Sequence, residues 1–137
     1  MATEILVNDG GAPARILPFT AASGTNLSGG RFVTMDDQAE INHADTASTT
    51  SLGVLLTDAG SGQNASVITG KGVVLNVPVS GTVVAGTALT IASGAGVGAG
   101  YCISGTVALV ATGGAVGVYL DSTDNSAGPN LRKVLTL

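Results

Sequence analysis

The sequence predicts an all-β fold: a single compact, sandwich- or barrel-like domain with pseudo-repeated halves and an extended N-terminal arm. Three observations carry this. Short Val/Ile/Leu/Thr runs recur along the chain, each bounded by Gly, Ser, Asn or Asp. No segment places apolar residues at i, i+3, i+4 and i+7 with good helix formers between them, and the 21 glycines oppose a helix. Two stretches also read alike. Leu52-Gly53-Val54 runs through an acidic, small-residue turn to Val67-Ile68-Thr69, and Val116-Gly117-Val118 does the same to Val134-Leu135-Thr136.

Strands are expected at 3–7, 14–19, 31–36, 51–57, 65–69, 72–79, 87–92, 106–111, 115–120 and 131–136. The first is the apolar run Ile5-Leu6-Val7, which leads into the turn signal NDGGAP. The second, around Arg15, Ile16 and Leu17, leads into AASGTNLSGG. Pro13 and Pro18 limit ladder pairing here. Residues 1–27 are therefore expected to form an arm that lies on a neighbouring subunit, with an ordinary first strand and loop as the equal alternative. The β domain is expected over 28–137. GRFVTMD and SLGVLLT supply its next two strands, and ASVIT the one after. In GVVLNVPV, Val73, Leu75, Val77 and Val79 share one pleat face while Val74, Asn76 and Pro78 take the other, which marks a half-buried strand. Pro78 cannot donate to a ladder, so this strand is expected at a sheet edge or bulge. ALTIA, TVALVA, AVGVYL and LRKVLT complete the series.

The likeness of the halves extends upstream. Val33-Thr34-Met35 precedes the first Gly-Val segment and Leu89-Thr90-Ile91 the second, so the halves are drawn at 28–69 and 84–137, with 70–81 as a bridge. From Gly30 to Gly53 is 23 residues and from Gly86 to Gly117 is 31. The surplus falls in GAGVGAGYCISGTVALVATGG, which has room for an added hairpin. Repeat arrays need three or more copies, so two copies point to paired sheets in one domain. Gly53 and Gly117 are expected to be structural, allowing close backbone approach or a bulge, with Val54/Leu56 and Val118/Leu120 pointing inward.

Composition excludes several functions. A chain of 137 residues suits one domain and can build a core without metals or disulfides. The single Cys102 has no internal partner and is expected to be a small buried apolar residue. Net charge is −4, and five Lys and Arg residues cannot form a phosphate-neutralising patch. Aromatics are scarce at 3%, so base stacking is unsupported and no nucleic-acid partner is expected. The start, MATEILVNDGG, has neither a basic nor an apolar leader region, so no signal peptide is expected. Mean hydropathy is high at +0.47, but no continuous apolar block of ~20 residues can cross a bilayer as a helix, and no membrane association is expected. Gly72 to Leu120 contains no Asp, Glu, Lys, Arg or His. Free surfaces are normally charged, so this run points to contact with another subunit.

The chain shows no catalytic, cofactor or metal set. One histidine, His43, cannot supply a zinc triad, and no G-x-S-x-G elbow marks a serine nucleophile. His43 is read as a polar loop residue in EINHADTAS. Asp121, Asp124 and Asn125 in DSTDNSAGPN lack calcium-loop spacing and are expected to form turns. Asp36, Asp37 and Glu40 are read as a solvated loop. GSG and SGAGVGAG lack the G-K-[ST] and helix of a phosphate loop, and no small-molecule substrate is expected. The sequons at Asn26 and Asn64 would need a secreted context.

The joint order GRFVTMD, INHADTAST, LGVLLTDAGSG, a Val-Ile-Thr strand, GVVLNV and VAGTAL resembles the head decoration, or capsid cement, proteins of tailed double-stranded-DNA bacteriophages. The resemblance covers about residues 28–120. It implies a β-rich domain, usually trimeric, on the outer capsid surface of the virion, bridging capsomers of the major capsid protein after head expansion. It implies no active site. Family members often use an extended N-terminal segment for contact, so Ile5, Leu6, Val7, Arg15, Ile16 and Leu17 are the expected capsid contacts. The rival reading is a β-structured adhesin or receptor-binding domain of a tail fibre, which would be expected to expose aromatics. Only Phe19, Phe32, Tyr101 and Tyr119 are present.

Overall fold

A computed structural model describes residues 15–44, 51–92, 100–105, 114–121 and 125–137, and side chains from 129 onward in the last strand. The expected strands at 3–7 and 106–111, and Ile5, Leu6 and Val7, lie outside them. The fold is all-β. Among the described residues there are ten strands: β1 (Arg15–Thr20), β2 (Phe32–Met35), β3 (Ile41–His43), β4 (Gly53–Leu55), β5 (Asn64–Thr69), β6 (Val74–Gly81), β7 (Ala88–Ile91), β8 (Cys102–Ser104), β9 (Ala115–Tyr119) and β10 (Asn125–Thr136). β1 to β5 form a five-stranded sheet in the order β1-β5-β4-β2-β3, and β6 to β10 form a closed barrel, β10-β6-β8-β7-β9.

These are the same unit twice. Replacing β1 to β5 by β6 to β10 in the first order gives β6-β10-β9-β7-β8, and the barrel is that order closed by β8 on β6. The registers agree residue by residue. Val54 faces Ile68, as Val118 faces Leu135. Val33 faces Gly53, as Leu89 faces Gly117. Ile41 faces Met35, as Cys102 faces Ile91. Leu17 faces Val67, as Leu75 faces Val134. The closing pair Val79↔Cys102 has its counterpart in a lone parallel bridge, Ala21↔Ile41. Hydrogen bonds outside the ladders repeat too. The Gly30 N–H donates to the Leu55 carbonyl and the Gly86 N–H to the Tyr119 carbonyl, both at 2.7 Å. The Leu56 N–H donates to the Ser66 carbonyl, as Leu120 does to Lys133.

The repeat is thus longer than its sequence likeness. The segment 70–81, expected to be a bridge, contains β6, the first strand of the second unit. Its counterpart β1 lies inside the expected arm. From Arg15 the chain is part of the sheet, and Ala21, Ala22 and Leu27 are buried. Pairing to β5 over six positions overrides the prolines, because Pro18 faces away from it. The Ala21 N–H donates to Gln63 on the β5 side and the Ala22 N–H to Ile41 on the other. Alternation along the strand then puts Pro18 with Ala22, where no ladder bond is lost. The same alternation, set by the Val73 carbonyl accepting from Thr136, turns Pro78 toward the β6–β8 seam. That seam pairs only at Val79↔Cys102.

Two cores result. Inside the first unit lie Val33, Ile41, Leu55 and Val67, with Leu27 and Ala65. The second core fills the barrel with Leu75, Val77, Val79, Leu89, Ile91, Cys102, Tyr119 and Val134, and extends across to Phe32, Val54 and Ile68 on the outer face of the first sheet. Strand alternation therefore buries both faces of that sheet. Leu55 and Tyr119 face into their own units; of the expected inward residues, Val54 and Leu56 face the shared core, and Val118 is half-buried. Val54 is buried against the second unit, and Leu120 is exposed. Arg31 ties the units together: its Nη2 donates to the Tyr101 hydroxyl at 2.8 Å, and its guanidinium lies 4.6 Å from that ring's centroid. The Phe32 N–H donates to Gly100, and Gly100 donates to the Ala44 carbonyl.

Candidate functional site

Two surfaces of the first unit stand out, its free edge strand and a polar cleft. β1 is the edge of its sheet and carries three of the expected contact residues, Arg15, Ile16 and Leu17, all exposed. Ile16 is 50% and Leu17 42% accessible, whereas Leu75, the counterpart of Leu17 in the closed barrel, is 1% accessible. Equivalent backbone positions thus carry a core residue in one unit and an open apolar side chain in the other. The outer edge of β1 offers backbone groups to a partner strand, with Pro18 withholding one donor.

The cleft, of about 470 Å³, is lined by Thr25, Asn26, Leu27, Thr34, Asp36, Asn42 and His43. The turn after β2 and the strand β3 position its polar groups. The Asp36 Oδ1 accepts the Gln38 and Glu40 N–H groups, both at 3.0 Å, which closes the turn. Its Oδ2 accepts Asn42 Nδ2 at 3.3 Å, and Asn42 Oδ1 accepts the Thr25 hydroxyl at 3.2 Å. Asn26 Oδ1 accepts the Ser61 N–H at 3.3 Å. His43 Nε2 accepts the Ser28 N–H at 3.0 Å, which assigns the ring proton to Nδ1. Burial, and then the charge of Arg31, lower the His43 pKa below that of a free imidazole, with the Ser28 bond acting in the opposite direction. His43 is therefore a neutral strand residue rather than a loop residue. Among the described residues no three His, Cys, Asp or Glu side chains meet as a metal site.

The two glycines make close backbone contacts. A Cβ on Gly53 would stand 2.1 Å from the Ile68 carbonyl oxygen, and its φ is +155°. A Cβ on Gly117 would meet Val134 Cγ1 at 2.4 Å and the Leu135 oxygen at 2.9 Å. Each glycine presses on the strand that follows it in its own unit. Cys102 is wholly buried, and burial pushes its thiol pKa well up, leaving it without nucleophilic use. Asp121, read as a turn residue, accepts the Lys133 N–H at 3.2 Å, and β10 begins at Asn125 within the expected loop.

Sequence reasoning passed over the cleft because its residues arrive as unrelated polar positions in turns. The one available signal was the adjacent Asn42-His43 pair after an acidic turn, too common to single out. No protein-family model matches the chain, and no curated protein matches it. Among solved structures, the chain is similar to the N base of head fiber gp8.5 of bacteriophage phi29. The TM-score is 0.65 over 90% of this chain and 95% of that one, with 17% of residues identical. At that identity, the likeness is one of fold.

Proposed function

We propose that this protein is a non-enzymatic structural component of a tailed-bacteriophage head, a decoration protein seated on the outer capsid surface. There it docks against the major capsid protein, bridges capsomers and acts as a homotrimer. The observation that carries this is the fold it shares with a head-fiber base over 90% of its length. The residues agree with that reading. Ile16 and Leu17 stand exposed on an edge strand, where a partner strand or apolar surface can cover them. Arg15, Ile16 and Leu17 are the docking residues, together with Ile5, Leu6 and Val7 ahead of them. Modest contacts suffice because symmetry repeats them over the shell.

The test is cosedimentation with expanded empty heads. Wild-type protein should bind saturably, at a stoichiometry set by icosahedral symmetry. Ile16→Asp/Leu17→Asp should keep the fold, since both side chains are already exposed, and should lose head occupancy. A chain that ignores heads, or a double variant that occupies them normally, would sink the proposal or its docking face respectively.

A further inference from the structure

The duplication supplies an internal control for the cleft. The two units share strand registers, so each cleft position on a strand has a counterpart that the same fold accepts. Thr34 corresponds to Thr90, Asp36 to Ala92, Asn42 to Ile103 and His43 to Ser104. Leu27 and Val83, both buried, precede the matched Gly30 and Gly86 by three residues. Between Ala22 and Leu27 the first unit has four residues, Ser23 to Asn26, while Ser80 and Val83 are separated by Gly81 and Thr82 alone. Thr25 and Asn26 therefore sit on a longer loop that the second unit lacks. The fold builds this corner from Ala92 and Ile103 in one copy and from Asp36 and Asn42 in the other. At the two β3 positions packing requires neither the Asn42 amide nor the His43 imidazole, whereas Asp36 also closes its own turn.

The geometry points to a binding site for a neutral, polyhydroxylated ligand, a saccharide, in the cleft between Asn26, Asp36, Asn42 and His43. The chemistry of the lining decides the class. Asp36, held by two backbone N–H groups and Asn42, is a fixed acceptor whose remaining lone pairs suit ligand hydroxyls. Asn26 Nδ2 and His43 Nδ1 are donors with no partner among the described residues. A set of one carboxylate, two amides and a neutral imidazole matches groups that both donate and accept, as hydroxyls do. It repels anions and is too poor in carboxylates for a metal ion. The cleft has the size of a small-molecule site. Among the described residues no Phe, Tyr or Trp lines it, so recognition rests on hydrogen bonds rather than on stacking against a large aromatic face. The inference is independent of capsid docking, which uses the β1 edge.

The test is an array of immobilised neutral oligosaccharides, followed by NMR titration of each bound sugar into full-length protein. Binding should shift the Asn26 and Asn42 side-chain amides and the His43 ring. Asn42→Ile carries the residue that the second unit uses at that place, so it should fold as wild type and bind at least tenfold more weakly. Asn26→Ala, which leaves the Asp36 turn intact, should weaken binding in the same direction. Failure of the wild-type chain to bind any sugar on the array overturns the proposal. So does equal binding by both variants, or a set of shifts centred away from the cleft. Loss of head binding with sugar binding intact would leave this site standing and remove only the docking role.

Discussion

Gly53→Ala tests the close approach on which the first sheet is built. The new Cβ would lie 2.1 Å from the Ile68 oxygen, 0.9 Å inside the 3.0 Å that such contacts respect (3.0 − 2.1 = 0.9). The obstacle is backbone, so no side-chain rotation relieves it. β4 and β5 must part, at the point where Val54 faces Ile68 and Leu55 faces Val67. Loss of one or two ladder hydrogen bonds costs about 1 kcal/mol each. Holding a non-glycine residue at positive φ adds roughly 1–3 kcal/mol. The expected destabilisation is therefore about 2–5 kcal/mol, a fall in Tm of roughly 6–20 °C for a chain of this size. With no tryptophan in the chain, far-UV circular dichroism during urea and thermal unfolding is the suitable probe. Gly117→Ala is the comparison. Its severe contact is with the Val134 side chain at 2.4 Å, so Val134→Ala in the same chain should recover part of its loss, and no partner truncation of that kind exists for Gly53. A Gly53→Ala protein within 1 kcal/mol of wild type would refute the account.

The duplicated positions give a second contrast: Leu75→Ala should cost about 2–5 kcal/mol and Leu17→Ala close to nothing, because one side chain is core and the other open. Comparable losses on urea titration would contradict the assigned equivalence of β1 and β6. For His43, the folded-state pKa lies below the unfolded value, so the unfolded chain takes up the proton first. Its contribution to stability is complete above pH ~6.5 and is lost as pH falls from there toward the folded-state pKa. Urea midpoints at several pH values should show that loss in wild type and a flatter profile in His43→Gln. Cys102 should react with a thiol reagent only after unfolding, and rapid labelling of native protein would contradict its burial.

Much of the fold was legible because alternation and glycine boundaries are local. Eight strands of the structure fall within a few residues of expected ones. The two that escaped, β3 and β8, are the same strand in the two units. Each has three residues, and Ile41-Asn42-His43 carries too little apolar character to register as a strand. What makes them strands is pairing with β2 and β7, which is not local. At Arg15–Leu27 the two equal readings, arm or first strand and loop, could not be separated from sequence for a related reason: prolines weaken a strand only on the side where a donor is needed, and which side that is depends on the partner. The β1–β6 equivalence left no trace in residue identity, since RILPFT and VLNVPVSG share only a hydrophobic rhythm and a displaced proline. The cleft was illegible because Thr25, Asn26, Asp36, Asn42 and His43 come together only through the loop before β2 and the turn after it.

The units differ in how far they close. In the second unit Tyr119 occupies the place of Leu55, and β6 meets β8, so a ring of Leu75, Val77, Leu89, Ile91 and Val134 seals around a large side chain. Among the described residues the first unit closes only at the Ala21↔Ile41 bridge, and β1 is an edge. Its Phe32, Val54 and Ile68 are buried because the second unit covers them. Removing residues 70–137 would strip that cover and expose three large side chains on one face, so the first unit depends on the second for its order. The exposed apolar strand and the polar cleft both belong to the dependent unit. The two units share the barrel's core, and the copy left open is the one that holds both the exposed strand and the polar cleft.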